Sequence, residues 1–390
     1  MKKGILQRLL PHSIAIVIFL LVAVIYCKPV FDGKVLQQND VTQWRAMAQN
    51  SFKYKEAHGH FPLWTNGMFS GMPAYQIAME SQNAISPGIF YSILTLGLPK
   101  PISLFFLACL SFYFLSQVVK VNPYIGIIGA LAFAYATYNP VIVAAGHDTK
   151  MQTIALMPAF IGSLLLVYDK KYWAGGALTA LSSSLLVGMN HPQIAYYTFL
   201  IAIAMTIAFA INWVKHKELK HLLISGAIVI VAGLIGVLSN AVTLFTTYEY
   251  AKESIRGGSE LADNKTNSTK TGLSADYALS YSFAKAEPFV MMVPNLFGGS
   301  TAPIEEKLEA SKAMESLQAM PPELGNQIAN YRLAYWGGIV ESAGTSGPPY
   351  VGAIICFLTL LGFFILDNKH KWWILAISAL AIMMSWGHYF

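Results

Sequence analysis

The sequence predicts an all-α integral membrane protein with about nine transmembrane helices and two large extracytoplasmic loops that carry surface helices. Three observations point there. Of its 390 residues, 55% are hydrophobic and only 12% charged, and the mean hydropathy of +0.49 exceeds what a soluble domain with a charged surface shows. Apolar runs recur at the length a bilayer demands, roughly 20 residues for a hydrocarbon core about 30 Å thick. Lysines and arginines collect in alternate connections between those runs.

The runs cover 12–30, 101–119, 123–143, 151–168, 172–189, 194–214, 221–243, 349–366 and 372–387. The first follows Lys2, Lys3 and Arg8 and precedes Lys28, Pro29 and Phe31, with no small-x-small cleavage site, so it reads as a retained signal anchor. The third is interrupted by Tyr138-Asn139-Pro140, where a proline removes a backbone donor and predicts a kink or a re-entrant turn. Cys27, Cys109 and Cys356 all fall within runs and imply packing, with neither a disulfide nor a metal framework.

With the amino terminus inside, the cytoplasmic segments hold Lys2, Lys3, Arg8, Lys120, Lys170, Lys171, Lys215, Lys217, Lys220, Lys369 and Lys371 against Asp169, Glu218 and Asp367. The basic pI near 9.0 therefore reflects topology, and no nucleic-acid partner is implied. The expected partner is the lipid bilayer, with any chemistry on the outer side; a bacterial cytoplasmic membrane as its location is what the family resemblance given below implies. The chain divides into a transmembrane module over 1–243, whose first outer loop is 31–100, a second outer loop over 244–348, and further spans over 349–390. Phe390 follows directly on the last run, as expected of a fragment of a longer protein.

In the first loop, Val41, Trp44, Ala48 and Phe52 recur at helical spacing opposite Gln43, Arg45, Gln49 and Lys53. This predicts a short helix along the membrane surface, capped by Asn39 or Asp40. Phe61-Pro62-Leu63-Trp64-Thr65-Asn66-Gly67 and Gly71-Met72-Pro73 predict a folded, turn-rich loop, and 87–98, too short to span, a second interfacial segment. The second loop opens with a polar, Gly/Ser-rich stretch over 257–272, which includes two glycosylation sequons, and continues with a helix near 303–318. Aromatic-glycine stretches follow Pro294 and Tyr331 and suit either sugar stacking or the membrane interface.

Three outer turns supply chemistry: Asp40 in the first loop, Gly146-His147-Asp148-Thr149-Lys150-Met151 after the third run, and Asn190-His191-Pro192-Gln193 after the fifth. All share the outer face. Two carboxylates, Asp40 and Asp148, suit either a divalent cation (Mg or Mn) or proton abstraction from a hydroxyl. Lys150, with His147, His191, Arg256 or Arg332, suits a phosphate group. Plainer readings stand beside these: Asp40 as a helix cap, Asp148 and Lys150 as a solvated turn, the histidines as hydrogen-bonded interfacial residues, and the arginines as surface.

The Leu-Pro-His before the first run, Gln37-Gln38-Asn39-Asp40, Phe61 to Asn66, Gly146 to Met151 and Asn190 to Gln193 together resemble the YfhO-like family of bacterial membrane proteins. That family is similar to the GT-C glycosyltransferases. The resemblance implies a GT-C-like enzyme that takes a sugar from a polyprenyl-phosphate carrier and transfers it to a cell-envelope acceptor outside the cytoplasmic membrane. It implies Asp40 and Asp148 as the catalytic acidic residues of the first two outer loops. Asp-x-Asp and Glu-x-Asp pairs do not occur near them, which leaves a metal-free base mechanism open beside a metal-assisted one. A transporter or lipid flippase, and a non-catalytic envelope-assembly protein, are the alternative readings.

Overall fold

The computed structural model describes residues 5–78, 87–254, 256–257, 275–296, 319–323 and 347–390. The chain forms two compact units, Met1–Tyr135 with Val143–Gly272, and Ala136–Ile142 with Leu273–Phe390. The expected helix near 303–318, the sequons and Arg332 lie outside the described residues.

The first unit is a helical bundle built on apolar segments. Its helices are α1 (Ile5–Tyr26), α2 (Asn39–His58), α3 (Pro87–Leu94), α4 (Ile102–Val118), α5 (Pro123–Ala134), α7 (Asp148–Tyr168), α8 (Tyr172–Gly188), α9 (Pro192–Lys215), α10 (Leu219–Leu238) and α11 (Ala241–Ala251). Helix α6 (Tyr138–Ala145) straddles the boundary between the units. Among the described residues, four helices are long and apolar enough to cross a membrane: Leu6–Tyr26, α7, α9 and α10. The third expected span is broken into α5 and α6, bent by 43°, and makes a fifth if taken as one.

That break lies upstream of Pro140. Pro140 occupies the first turn of α6, where a missing N–H has no intrahelical acceptor to lose. The first span also differs from expectation: α1 begins at Ile5 and continues through Pro11.

Helix α7 is the hub. Most of its length is buried (83% of its apolar window, against 17% for α1), and it packs on α4 and α8, with α5 and α1 against α4 and α10 against α8. Small residues permit these approaches. A Cβ on Gly162 would stand 2.9 Å from the Phe114 ring, one on Gly175 would stand 2.5 Å from the Val167 backbone nitrogen, and one on Gly236 would overlap Ser183. Where no water competes, close backbone packing and interhelical hydrogen bonds carry helix association.

Several polar groups inside the bundle are satisfied by contacts between helices, while Tyr135 Oη and Thr179 Oγ1 are buried without a hydrogen-bond partner. Pro158 interrupts the hydrogen-bond ladder of α7, and the next amide, that of Ala159, donates 2.8 Å to Ser111 Oγ on α4. Asn240, buried, donates to Ser184 O (2.9 Å) and Gly236 O (3.2 Å), and Ser184 Oγ meets Ser239 Oγ at 2.6 Å. His221 is buried near the start of α10, with Nδ1 2.7 Å from Tyr172 Oη and Nε2 3.0 Å from Tyr168 O.

Outward faces are apolar. Ile203, Ile207 and Ile211 form one stripe on α9, each more than half exposed, and Leu223, Ile230 and Leu234 another on α10. Leaving such a side chain in water forgoes about 1.5–3 kcal/mol of burial each, so these stripes are faces for lipid. Trp173 (94% exposed) stands beside Lys170 and Lys171, as an interfacial aromatic does. The protein is a membrane protein.

The loop between α1 and α4 is ordered by its aromatics. Helix α2 is longer than its sequence pattern suggested and ends at Gly59, whose left-handed backbone lets its amide donate to Lys55 O (2.7 Å). Trp44 Nε1 donates to Ile77 O (2.7 Å), Phe52 meets Trp44 and Phe61 edge-on, and Lys55 Nζ lies over Phe61. Strands β1 (Trp64–Thr65) and β2 (Met72–Pro73) pair antiparallel, with Trp64 opposite Pro73.

In the second unit, α12 (Ala275–Ala278) and a 3-10 turn (Glu287–Met291) precede α13 (Ala353–Ile365) and α14 (Lys371–Ser385). Phe283 N–H donates to Ser385 O (2.8 Å), and the Val351 and Gly352 amides both donate to Met291 O. Glu287 is buried and accepts from the Ala284 amide at 2.6 Å; burial pushes its carboxyl above the usual range.

Candidate functional site

The site is built where α2 meets the turn between α6 and α7. Gly146 holds a φ of +97°, and a Cβ there would press on Gln38, Asp40 and Val41 at 3.2–3.3 Å. Only glycine allows the loop to close on this turn without strain. Gln38 Nε2 then donates to Val143 O at 2.5 Å and fixes the approach.

The expected cap is not what this contact makes. The residue before α2 is Gln38, with no side-chain cap, and neither Asn39 nor Asp40 takes that role. Asp40 sits in the first turn, where its charge suits the helix dipole. Its Oδ2 accepts from His147 Nε2 at 2.7 Å. The side chains are 51% and 32% exposed, so the pair stands at the mouth of the unit. His147 Nδ1 is shielded from solvent and has no hydrogen-bond partner.

Asp148, in the first turn of α7, turns to a different cation. Its Oδ2 accepts from Lys100 Nζ at 2.8 Å, with side-chain exposures of 19% and 49%. Lys100 was not among the residues singled out from sequence. It lies between Pro99 and Pro101 just before α4, and no motif in the sequence marked its role.

His191 precedes α9 and accepts from the Ile194 amide at 3.4 Å, a capping contact. Burial holds its imidazole below the usual range, and the charge of Lys150, then that of His147, push the same way. Lys150 and His147 thus each lie close enough to act on His191. The start of α2 and the turns before α7 and α9 therefore lie close together in this unit. Arg256 is exposed in the turn after α11, where its amide donates to Ser254 Oγ, and no contact among the described residues joins it to the cluster.

Compared with protein-family models, curated proteins and solved structures, the chain matches none. The chemistry must therefore be argued from the cluster itself.

Asp40 and Asp148 are each engaged by a cationic or hydrogen-bonding side chain, and among the described residues no group of three or more His, Cys, Asp or Glu is placed to share an ion. What the cluster offers is proton acceptance at an imidazole supported by a carboxylate, beside ammonium groups able to meet an anion. A shallow groove of about 580 Å³, lined by Trp44, Arg45, Gln49 and Phe52, lies further along α2.

Proposed function

We propose that this protein is a GT-C-type membrane glycosyltransferase, resembling the YfhO-like family, that moves a sugar from a polyprenyl-phosphate carrier to a cell-envelope acceptor outside the cytoplasmic membrane. The observation that carries this reading is the meeting of Asp40, His147, Asp148 and Lys100 where the first outer loop closes on the α6–α7 turn. In this reading the nine apolar runs all span, the amino terminus is inside, and the apolar helix faces receive the polyprenyl chain.

The transfer is a single displacement with inversion at the sugar carbon. The Asp40 side orients and activates the acceptor hydroxyl, while Lys150 meets the phosphate as it departs. Asp148, held by Lys100, supports the reacting geometry. An interior nearly free of charge supports surface chemistry over a transport pathway: among the described residues, Glu287 is the only Asp, Glu, Lys or Arg that is buried, and it lies outside the spans.

The test is a screen of radiolabelled polyprenyl-phosphate sugars against membranes that contain the protein. Label entering an envelope acceptor only when the protein is present supports the reading. No transfer from any donor contradicts it.

A further inference from the structure

We propose that His147 is the base that takes the acceptor proton and that Asp40 positions it, an assignment that rests on the glycosyltransferase reading above. A carboxylate can only accept, so the 2.7 Å contact places the imidazole hydrogen on Nε2, facing Asp40 Oδ2. Nδ1 then carries the lone pair. A hydrogen on Nδ1 would be a buried donor with no acceptor, since that atom is shielded and unpartnered. The result is an oriented imidazole whose Nδ1 is unengaged.

Buried polar atoms in folded proteins nearly always have partners, and an exception asks for a role. Here a hydroxyl donor supplies it. The acceptor O–H proton passes to His147 Nδ1 as the oxygen bonds to the anomeric carbon. The bond from that carbon to the carrier phosphate breaks, and its electron pair leaves with the phosphate. The imidazolium that results is stabilised by Asp40 and later returns its proton to water.

The surroundings favour a base here. The titratable groups nearby are Asp40 from α2, Asp148 and Lys150 from α7, and His191 before α9; Lys100 engages Asp148. The carboxylate on Nε2 supports the imidazolium once it has formed.

The tautomer can be read without any activity. Nitrogen-15 histidine spectra of the full chain in bilayers at neutral pH should show one residue, identified by its loss in His147→Gln, with hydrogen on Nε2 and a bare Nδ1. A hydrogen on Nδ1 overturns the proposal. In transfer assays, His147→Gln should lower kcat by about 10²–10⁴-fold, the usual contribution of a general base. Asp40→Asn should displace the acidic limb of the pH–rate profile, which a merely structural carboxylate would not do. Transfer by His147→Gln at the wild-type rate overturns the base role alone. A wild-type protein that transfers nothing overturns the parent function, and this role with it.

Discussion

Lys100 Nζ and Asp148 Oδ2 lie 2.8 Å apart and join the entry of α4 to the first turn of α7. Both helices belong to the most tightly packed part of the bundle, so the ion pair sits at the end of a rigid frame. A half-exposed pair of this kind contributes about 0–1 kcal/mol to stability. Its value is in fixing where Asp148 points.

A double-mutant cycle separates the two contributions. Lys100→Met and Asp148→Asn should each change the melting temperature by only a few degrees, while each lowers sugar transfer at least tenfold. The two effects on transfer should be far from additive, because either change alone breaks the Lys100–Asp148 pair. Full additivity would separate Lys100 from Asp148 in function.

Acid should weaken the protein through His191. Its folded imidazole is held below the usual value of 6.5 by burial and by Lys150, while the unfolded chain titrates normally. The unfolded state therefore binds more protons as pH falls below about 6.5, and stability drops there until the folded pKa is passed. Thermal unfolding in detergent at pH 7.5 and 5.5 should show a smaller acid penalty in His191→Gln than in wild type. Lys150→Met should reduce the penalty in part.

Glu287 makes the opposite prediction. Burial raises its folded pKa above the ordinary 4.5, so stability is lost as pH rises through that window and stays reduced at neutral pH. Glu287→Gln keeps an oxygen for the Ala284 amide and carries no charge. At pH 7 the substitution should be neutral to stabilising by thermal melt, and at pH 4 its advantage should vanish.

Two interior positions test the packing. A methyl group at Gly236 would meet Ser183 Oγ at 1.7 Å and Ser184 N at 2.8 Å, so Gly236→Ala should destabilise by about 1–3 kcal/mol. Adding Ser183→Ala should recover only part, because the backbone contact remains. Ser111→Ala removes the acceptor of the Ala159 amide and should cost about 1–3 kcal/mol as an unpaired buried donor. Thermal unfolding of the purified chain measures both.

Much of this was legible in the sequence because membrane helices leave a strong record. The apolar runs foretold the helices of the bundle, and Tyr138-Asn139-Pro140 marked the broken span. The turns that carry Asp40, His147, Asp148 and His191 could be picked out by their ionisable residues at the ends of apolar runs. The pairings were not legible. Asp40 read equally well as a helix cap, and its choice of His147 depends on the closeness that Gly146 permits, which no local pattern encodes. Lys100 carried no motif, since its partner is 48 residues away and reached only through the packing of α4 on α7. The break at residues 135–137 came before the proline, because a proline in a first turn starts a helix more readily than it ends one.

The most direct test of the proposed function is transfer of radiolabelled sugar from polyprenyl phosphate in proteoliposomes, comparing wild type with Asp40→Asn and Asp148→Asn at matched folding. The account predicts transfer by wild type and at least a tenfold loss in each variant. Wild-type rates in both variants would contradict it.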